Sequence, residues 1–232
     1  MQRPRLQSHA VAALVCAAGA ALALPGGGCN YVTPAMWIAQ GPGKKPAEFT
    51  LPIDKKTVVF VDDRKNTINR LQLRSALADD VGQTIRSLNL VNEVVSGREL
   101  IAYVRRNETS SKRVSIEELG RSVGADVVIY IEMTQFTLAP DGATPKPTAS
   151  ALVKVVDVKE RTRLFPPAGA GDHDGYEVTA EMDALSLDAY RTSAARRKTE
   201  DALEKRLADQ ITRLFYDHEP KGFGKGVSHM EG

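Results

Sequence analysis

The chain has 232 residues, with 31 basic and 29 acidic side chains, two cysteines and a mean hydropathy of -0.26. This length supports one packed core of the usual size, and so balanced a charge gives no basic surplus of the kind nucleic-acid binders carry. Nucleic acid is therefore excluded as a partner class, and a phosphate-rich substrate loses support for the same reason.

The first 29 residues read as an export signal. Arg3 and Arg5 form an acid-free basic start, residues 10–24 are an unbroken apolar run, and Pro25-Gly26-Gly27-Gly28 leads into Cys29. A run of about 15 residues is shorter than the roughly 20 a helix needs to cross a bilayer, so the sequence predicts cleavage of residues 1–28. Loss of Arg3 and Arg5 then leaves 29 basic residues against 29 acidic ones. Cys16 departs with the apolar run, so no internal disulfide is expected.

Residues 29–56 contain Pro34, Pro42, Pro46 and Pro52 with Gly41 and Gly43, and they predict an extended, mobile tether. Within it, Tyr31 and Met36-Trp37-Ile38 form a small apolar group. Trp37 is a candidate for contact with a partner or the lipid interface; packing on the chain's own domain is the alternative.

An α/β domain is expected over residues 57–219. Thr57-Val58-Val59-Phe60-Val61 predicts a buried strand ending at Asp62-Asp63. Leu73, Leu77, Val81, Ile85 and Leu88 mark one face of a helix that stops at Asn89. Val91–Val95 predicts a second short strand. Ser96 with Glu99, and Ser115 with Glu118, have capping-box spacing and predict two helix starts, the second helix ending at Gly124. Asp126–Leu138 alternates as a long strand, residues 139–148 form a Pro/Gly connection, and Ala149–Val158 returns as the antiparallel arm of a hairpin. Thr162–Phe165 and Tyr176–Ala180 predict further strands. A closing helix over about residues 188–217 has Leu203, Leu207, Ile211 and Leu214 inside, with Asp201/Lys205 and Asp209/Arg213 as outer pairs. Residues 220–232 are expected to be a disordered tail. The fold class is thus a mixed β-sheet with helices packed on it.

Two resemblances follow from these residues. Gly27-Gly28-Cys29 is similar to the lipobox of bacterial lipoproteins, which implies acylation of Cys29 and anchoring to the membrane through that lipid. Asn30, rather than aspartate, follows the cysteine, which by the same resemblance implies the outer membrane, facing the periplasm. The alternative is ordinary cleavage after Ala21-Leu22-Ala23, leaving Cys29 a plain thiol. The second resemblance rests on Asn66-Thr67, on Gly124-Ala125-Asp126 ahead of the long strand, and on Asp157-Val158-Lys159, spread over residues 57–182. This pattern resembles the fold shared by lipoprotein activators of penicillin-binding proteins, the curli-secretion lipoprotein and the N-terminal domain of TolB. It implies a non-catalytic envelope protein that works by contact with a partner protein or as a homo-oligomer, with no cofactor. Glu160-Arg161 departs from the Thr-Gly often found there, and residues 166–174 form an extra loop. The breaks at 107–113 and 139–148 are too short for membrane-spanning strand pairs, which argues against a pore.

Specific residues bear on other classes of function. Asp62 and Asp63 end the first strand where open α/β sheets bind ligands and resemble the acid pair of phospho-receiver domains, but residues 127–133 supply no acceptor aspartate. Turn and capping roles suit them better, and with Asn66 they are candidate binding residues. Asp172-His173-Asp174 is a candidate metal set in a glycine-rich loop, with a solvated loop as the alternative. A periplasmic ligand- or cell-wall-glycan-binding module is the second reading, and a hydrolase or metal enzyme the third.

Overall fold

In the computed structural model, residues 44–109, 113–167, 169 and 174–219 are described. Its elements are β1 (Thr57–Asp62), α1 (Leu71–Ser87), β2 (Val94–Val95), α2 (Arg98–Asn107), α3 (Ile116–Ser122), β3 (Val127–Thr137), β4 (Thr148–Asp157), β5 (Thr162–Phe165), β6 (Tyr176–Glu181), α4 (Asp188–Arg191) and α5 (Ser193–Thr212), closed by a 3-10 turn at Arg213–Phe215. Pro46–His218 makes up one compact unit.

The sheet runs β2-β1-β3-β4-β5, with β6 also on β4. β1 pairs in parallel with β2 and β3, while β3 and β4 form the antiparallel hairpin. The strands carry alternating residues to two separate cores, which is why the mixed sheet is buried on both sides around β1 and β3. One core joins Val59, Val61, Ile129 and Ile131 to Leu77 and Val81 of α1 and to Leu203, Leu207 and Ile211 of α5. The other joins Val58, Phe60, Val128 and Tyr130 to Leu100 of α2 and Leu119 of α3. The expected inner stripe of the closing helix is thus the observed one.

Several expectations change in detail. Residues 46–56, assigned to the tether from their prolines, pack on the domain: Leu51 is buried, the Phe49 ring lies 5.4 Å from that of Phe165, and the Phe49 amide donates to the Leu214 carbonyl at 3.0 Å. The closing helix is divided by Thr192, whose backbone is extended and whose hydroxyl caps α5 by accepting from the Ala195 amide at 3.1 Å. The Asp209–Arg213 pair forms at 3.2 Å, whereas Asp201 turns to Arg70 at 2.8 Å.

The two capping boxes differ. Ser115 accepts from the Glu118 amide, but the Glu118 carboxylate goes to the Tyr103 hydroxyl at 2.9 Å. At α2 the cap position is held by Gly97, not Ser96, because the chain there runs against β1: a Cβ on Gly97 would lie 2.6 Å from the Val59 carbonyl oxygen. Gly120 plays the corresponding part in α3, where an added Cβ would stand 2.3 Å from Val158 Cγ2 and 2.9 Å from Val128 Cγ2. Gly120→Ala is therefore expected to destabilise the domain by about 1 kcal/mol, since overpacking of about 1–3 kcal/mol exceeds the gain in helix propensity. Urea unfolding of the variant measures this, and an unchanged midpoint would show that α3 is not held against the sheet at that distance.

At the β4–β5 turn Arg161 has φ +53°, in the left-handed region where a side chain is strained. The Thr-Gly pattern that the sequence lacks here would have relieved it. Arg161→Gly should raise the thermal midpoint, by an amount equivalent to about 0.5–1 kcal/mol. A fall in the midpoint would contradict that account.

Candidate functional site

The carboxyl end of β1 is built around two buried acids with different tasks. Asp63 has its side chain fully enclosed and ties down the turn that follows: its Oδ1 accepts from the Thr67 amide and hydroxyl, both at 2.7 Å, and its Oδ2 from the Ile68 amide at 2.9 Å. The Arg74 guanidinium of α1 pairs with the same carboxylate at 2.8 Å. Asn66 stands at the tip of this turn with φ +51° and accepts from Arg74 at 3.1 Å. Asn tolerates that conformation better than most residues, which accounts for its position. The turn role expected of both acids is observed for Asp63; Asp62, expected to share it, holds side chains instead because it faces the other side of the sheet.

Asp62 points to the other side of the sheet. It accepts from the Tyr130 hydroxyl and pairs with Arg64 Nε at 3.0 Å, while Arg64 also reaches Glu108 at 3.4 Å. Burial, and then the hydrogen bond to Asp62, push the Tyr130 phenol far above its usual range. A phenol so held is a poor proton donor in solution chemistry, and Asp62 has its Oδ2 committed to two partners.

Tyr130 is paired across the sheet with Lys154 of β4, whose ammonium lies 5.7 Å from the ring centroid. Lys154 is buried, and it donates to Asp174 at 2.5 Å; Arg163 holds the same carboxylate at 2.6 Å. The Lys154 hydrogen bond first, and the charges of Lys154 and Arg163 with it, keep the Asp174 carboxyl below the ordinary carboxylate range. Asp174 is thereby tied to β4 and β5. Asp172 and His173, the other two members of the candidate metal set, lie outside the described residues, as do Cys29 and Trp37. Among the described residues no three metal-ligating side chains converge, and no helix is long and apolar enough to cross a membrane.

Among the described residues, the same sheet face is open beyond α2 and α3. Glu177, Thr179 and Glu181 of β6 are exposed, Leu152 of β4 is half-buried, and Thr179 shares a hydrogen bond with Ser150 at 2.9 Å. Glu181 is paired with Lys146 at 2.6 Å.

No family model matches this chain. No curated protein matches it either. Solved structures of similar arrangement include the PelC dodecamer from Paraburkholderia phytofirmans, at 11% identity and TM-score 0.38 over 75% of this chain and 96% of that one. Lipoprotein GNA1162 from Neisseria meningitidis is similar at 13% identity and TM-score 0.39, covering 68% and 99%. A Xanthomonas campestris protein of the DUF330 family is similar at 13% identity and TM-score 0.41, covering 75% and 86%. These likenesses are loose, and none of the three names is that of a penicillin-binding-protein activator, the curli-secretion lipoprotein or TolB. Function has to be argued from the residues.

Sequence reasoning did not single out Tyr130, Lys154 or Arg74. Lys154 left a trace, a lone cation inside the apolar run Leu152-Val153-Lys154-Val155-Val156. Arg74 left none, since an arginine on the polar flank of an amphipathic helix is ordinary.

Proposed function

We propose that this chain is a non-catalytic lipoprotein of the bacterial envelope, held at the outer membrane by acyl chains on Cys29, that acts by contact with another envelope protein. The observation that supports it best is the internal use of the acids an enzyme would need. Asp63 is enclosed by a turn and Arg74, and Asp62 is buried and taken by Tyr130 and Arg64; Asp174, although exposed, is held by Lys154 and Arg163. The contact surface in this reading is the open half of the sheet, where Glu177, Thr179 and the half-buried Leu152 lie beside one another on adjacent strands. Such a surface, flat and mixed in polarity, suits a protein partner better than a small ligand, which favours a concave site. The resemblance to penicillin-binding-protein activators points to the same class of action.

The reading is tested in two steps on the full chain in cells. Metabolic labelling with an alkynyl palmitate analogue should tag the native chain and leave Cys29→Ser untagged. A photo-crosslinking amino acid placed at Thr179 should then give a discrete heavier adduct with the lipidated chain. An untagged native protein released to the medium, no adduct from Thr179, or substrate turnover by the purified chain would overturn it.

A further inference from the structure

The opposite edge of the sheet carries a second surface. β2 has only two residues, Val94 and Val95, paired with Thr57 and Val58 of β1 on one side; on its other side no strand is present among the described residues. A groove of about 560 Å³ runs between that edge and α1, within the range of about 300–1,000 Å³ typical of binding sites. Its floor is Val59 with the half-buried Val94, while Val95 lines the edge and packs its side chain on the core of the opposite face, and its rim includes Gln83 and Arg86 of α1. α1 can lie this close to the edge because residue 82 is glycine, whose added Cβ would stand 3.2 Å from Val94 Cγ1.

The charges along this groove are unequal. Arg98 is paired with Asp79 at 3.3 Å, so that pair is neutral as a unit. Arg86 is exposed on the rim and has no carboxylate within ion-pair distance among the described residues. A strand edge offers unpaired amides and carbonyls to an extended chain, apolar floor positions accept alternate side chains, and an unpaired guanidinium selects a carboxylate.

We infer that the β2 edge and α1 groove bind an extended segment of a partner protein, added as a further strand beside Val94–Val95 with an acidic side chain against Arg86. The inference rests on the contact reading above and adds to it a site and a ligand chemistry. The short edge limits the added strand to a few residues and so disfavours open-ended pairing of one copy with the next.

The probe is a phage-displayed library of random 12-residue peptides, selected on the full mature chain in detergent. Enriched peptides should alternate apolar residues with at least one Asp or Glu, and in amide spectra they should shift residues 94–98 and 79–86. Arg86→Glu should weaken a synthetic enriched peptide by roughly tenfold, Arg86→Lys by no more than about threefold, because Lys keeps the attraction of a near-surface ion pair and reversal replaces it by repulsion. Gln83→Trp, which fills the groove from an exposed position, should abolish binding, and folding of each variant is checked by its unfolding midpoint. Absence of enrichment, shifts confined to other residues, or binding indifferent to Arg86→Glu and Gln83→Trp would overturn the inference, as would copies of this chain crosslinking to one another through the β2 edge. Failure here with the Thr179 adduct intact removes the groove alone; loss of the Thr179 adduct removes the broader reading.

Discussion

Asp63→Ala is expected to be the most damaging single substitution at the end of β1, lowering stability by about 3–5 kcal/mol. The carboxylate is fully enclosed and accepts from the Thr67 amide, the Thr67 hydroxyl and the Ile68 amide while balancing Arg74. Its removal orphans two backbone donors and leaves a guanidinium largely buried without its charge partner, on an arginine whose Nε already lacks an acceptor. Breaking a buried pair from one side costs more than such a pair contributes when intact, since the charge that stays behind has lost water and gained nothing. Urea unfolding gives the size of the loss, and hydrogen exchange locates it: the Thr67 and Ile68 amides should lose protection first. A variant as stable as the native chain would mean that the turn is held by other contacts and would return Asp63 to the list of functional acids.

Glu204→Gln is expected to act in the opposite direction and to depend on pH. Glu204 lies on the inner side of α5, 2% exposed, with its Oε1 lacking a hydrogen-bond partner. Burial, and then the charge of Asp80, raise its carboxyl from an ordinary 4.5 to about 7. The group holds its proton in the folded chain while the unfolded chain releases it. Below about pH 4.5 both states are protonated and the residue costs nothing on this account; between 4.5 and 7 stability falls as pH rises, and above 7 it levels off. At about 1.4 kcal/mol per unit, reduced for residual screening, the native chain should lose about 2 kcal/mol between pH 5 and pH 8 through this residue. Paired urea titrations of native and Glu204→Gln chains isolate that difference from the other carboxylates, because only Glu204 is absent from one of them. Parallel curves, with no convergence at pH 5, would show that the carboxyl reaches water or a cation.

The Asp63 and Glu204 cases mark where a sequence can and cannot be read. Asp62-Asp63 at the end of a β-branched run, followed by Asn66, already favours a turn, and the structure has one; the propensities act over a few residues and need no distant partner. Glu204 sits among Leu203, Leu207 and Ile211, and a carboxylate one step from an apolar stripe looks like any helix flank until the position of α1 is known. Asp80 and Glu204 are 124 positions apart, and their mutual repulsion exists only because α1 and α5 cover the same side of the sheet. Likewise Ser96 and Glu99 have the spacing of a capping box, yet Gly97 takes the cap because β1 passes within contact of it.

By itself the sequence determined the class of fold, the β3–β4 hairpin, the inner stripe of α5, the helix stop at Asn89 and the left-handed cap at Gly124, all of which follow from local periodicity and turn chemistry. Only the tertiary structure decided that residues 46–56 belong to the domain, that Tyr130 meets Asp62 and Lys154, and that a groove opens beside β2. The reason is the same in each instance: burial, charge pairing and the space between elements are properties of residues brought together across the chain, and hydrophobic pattern along it carries no record of which partners meet.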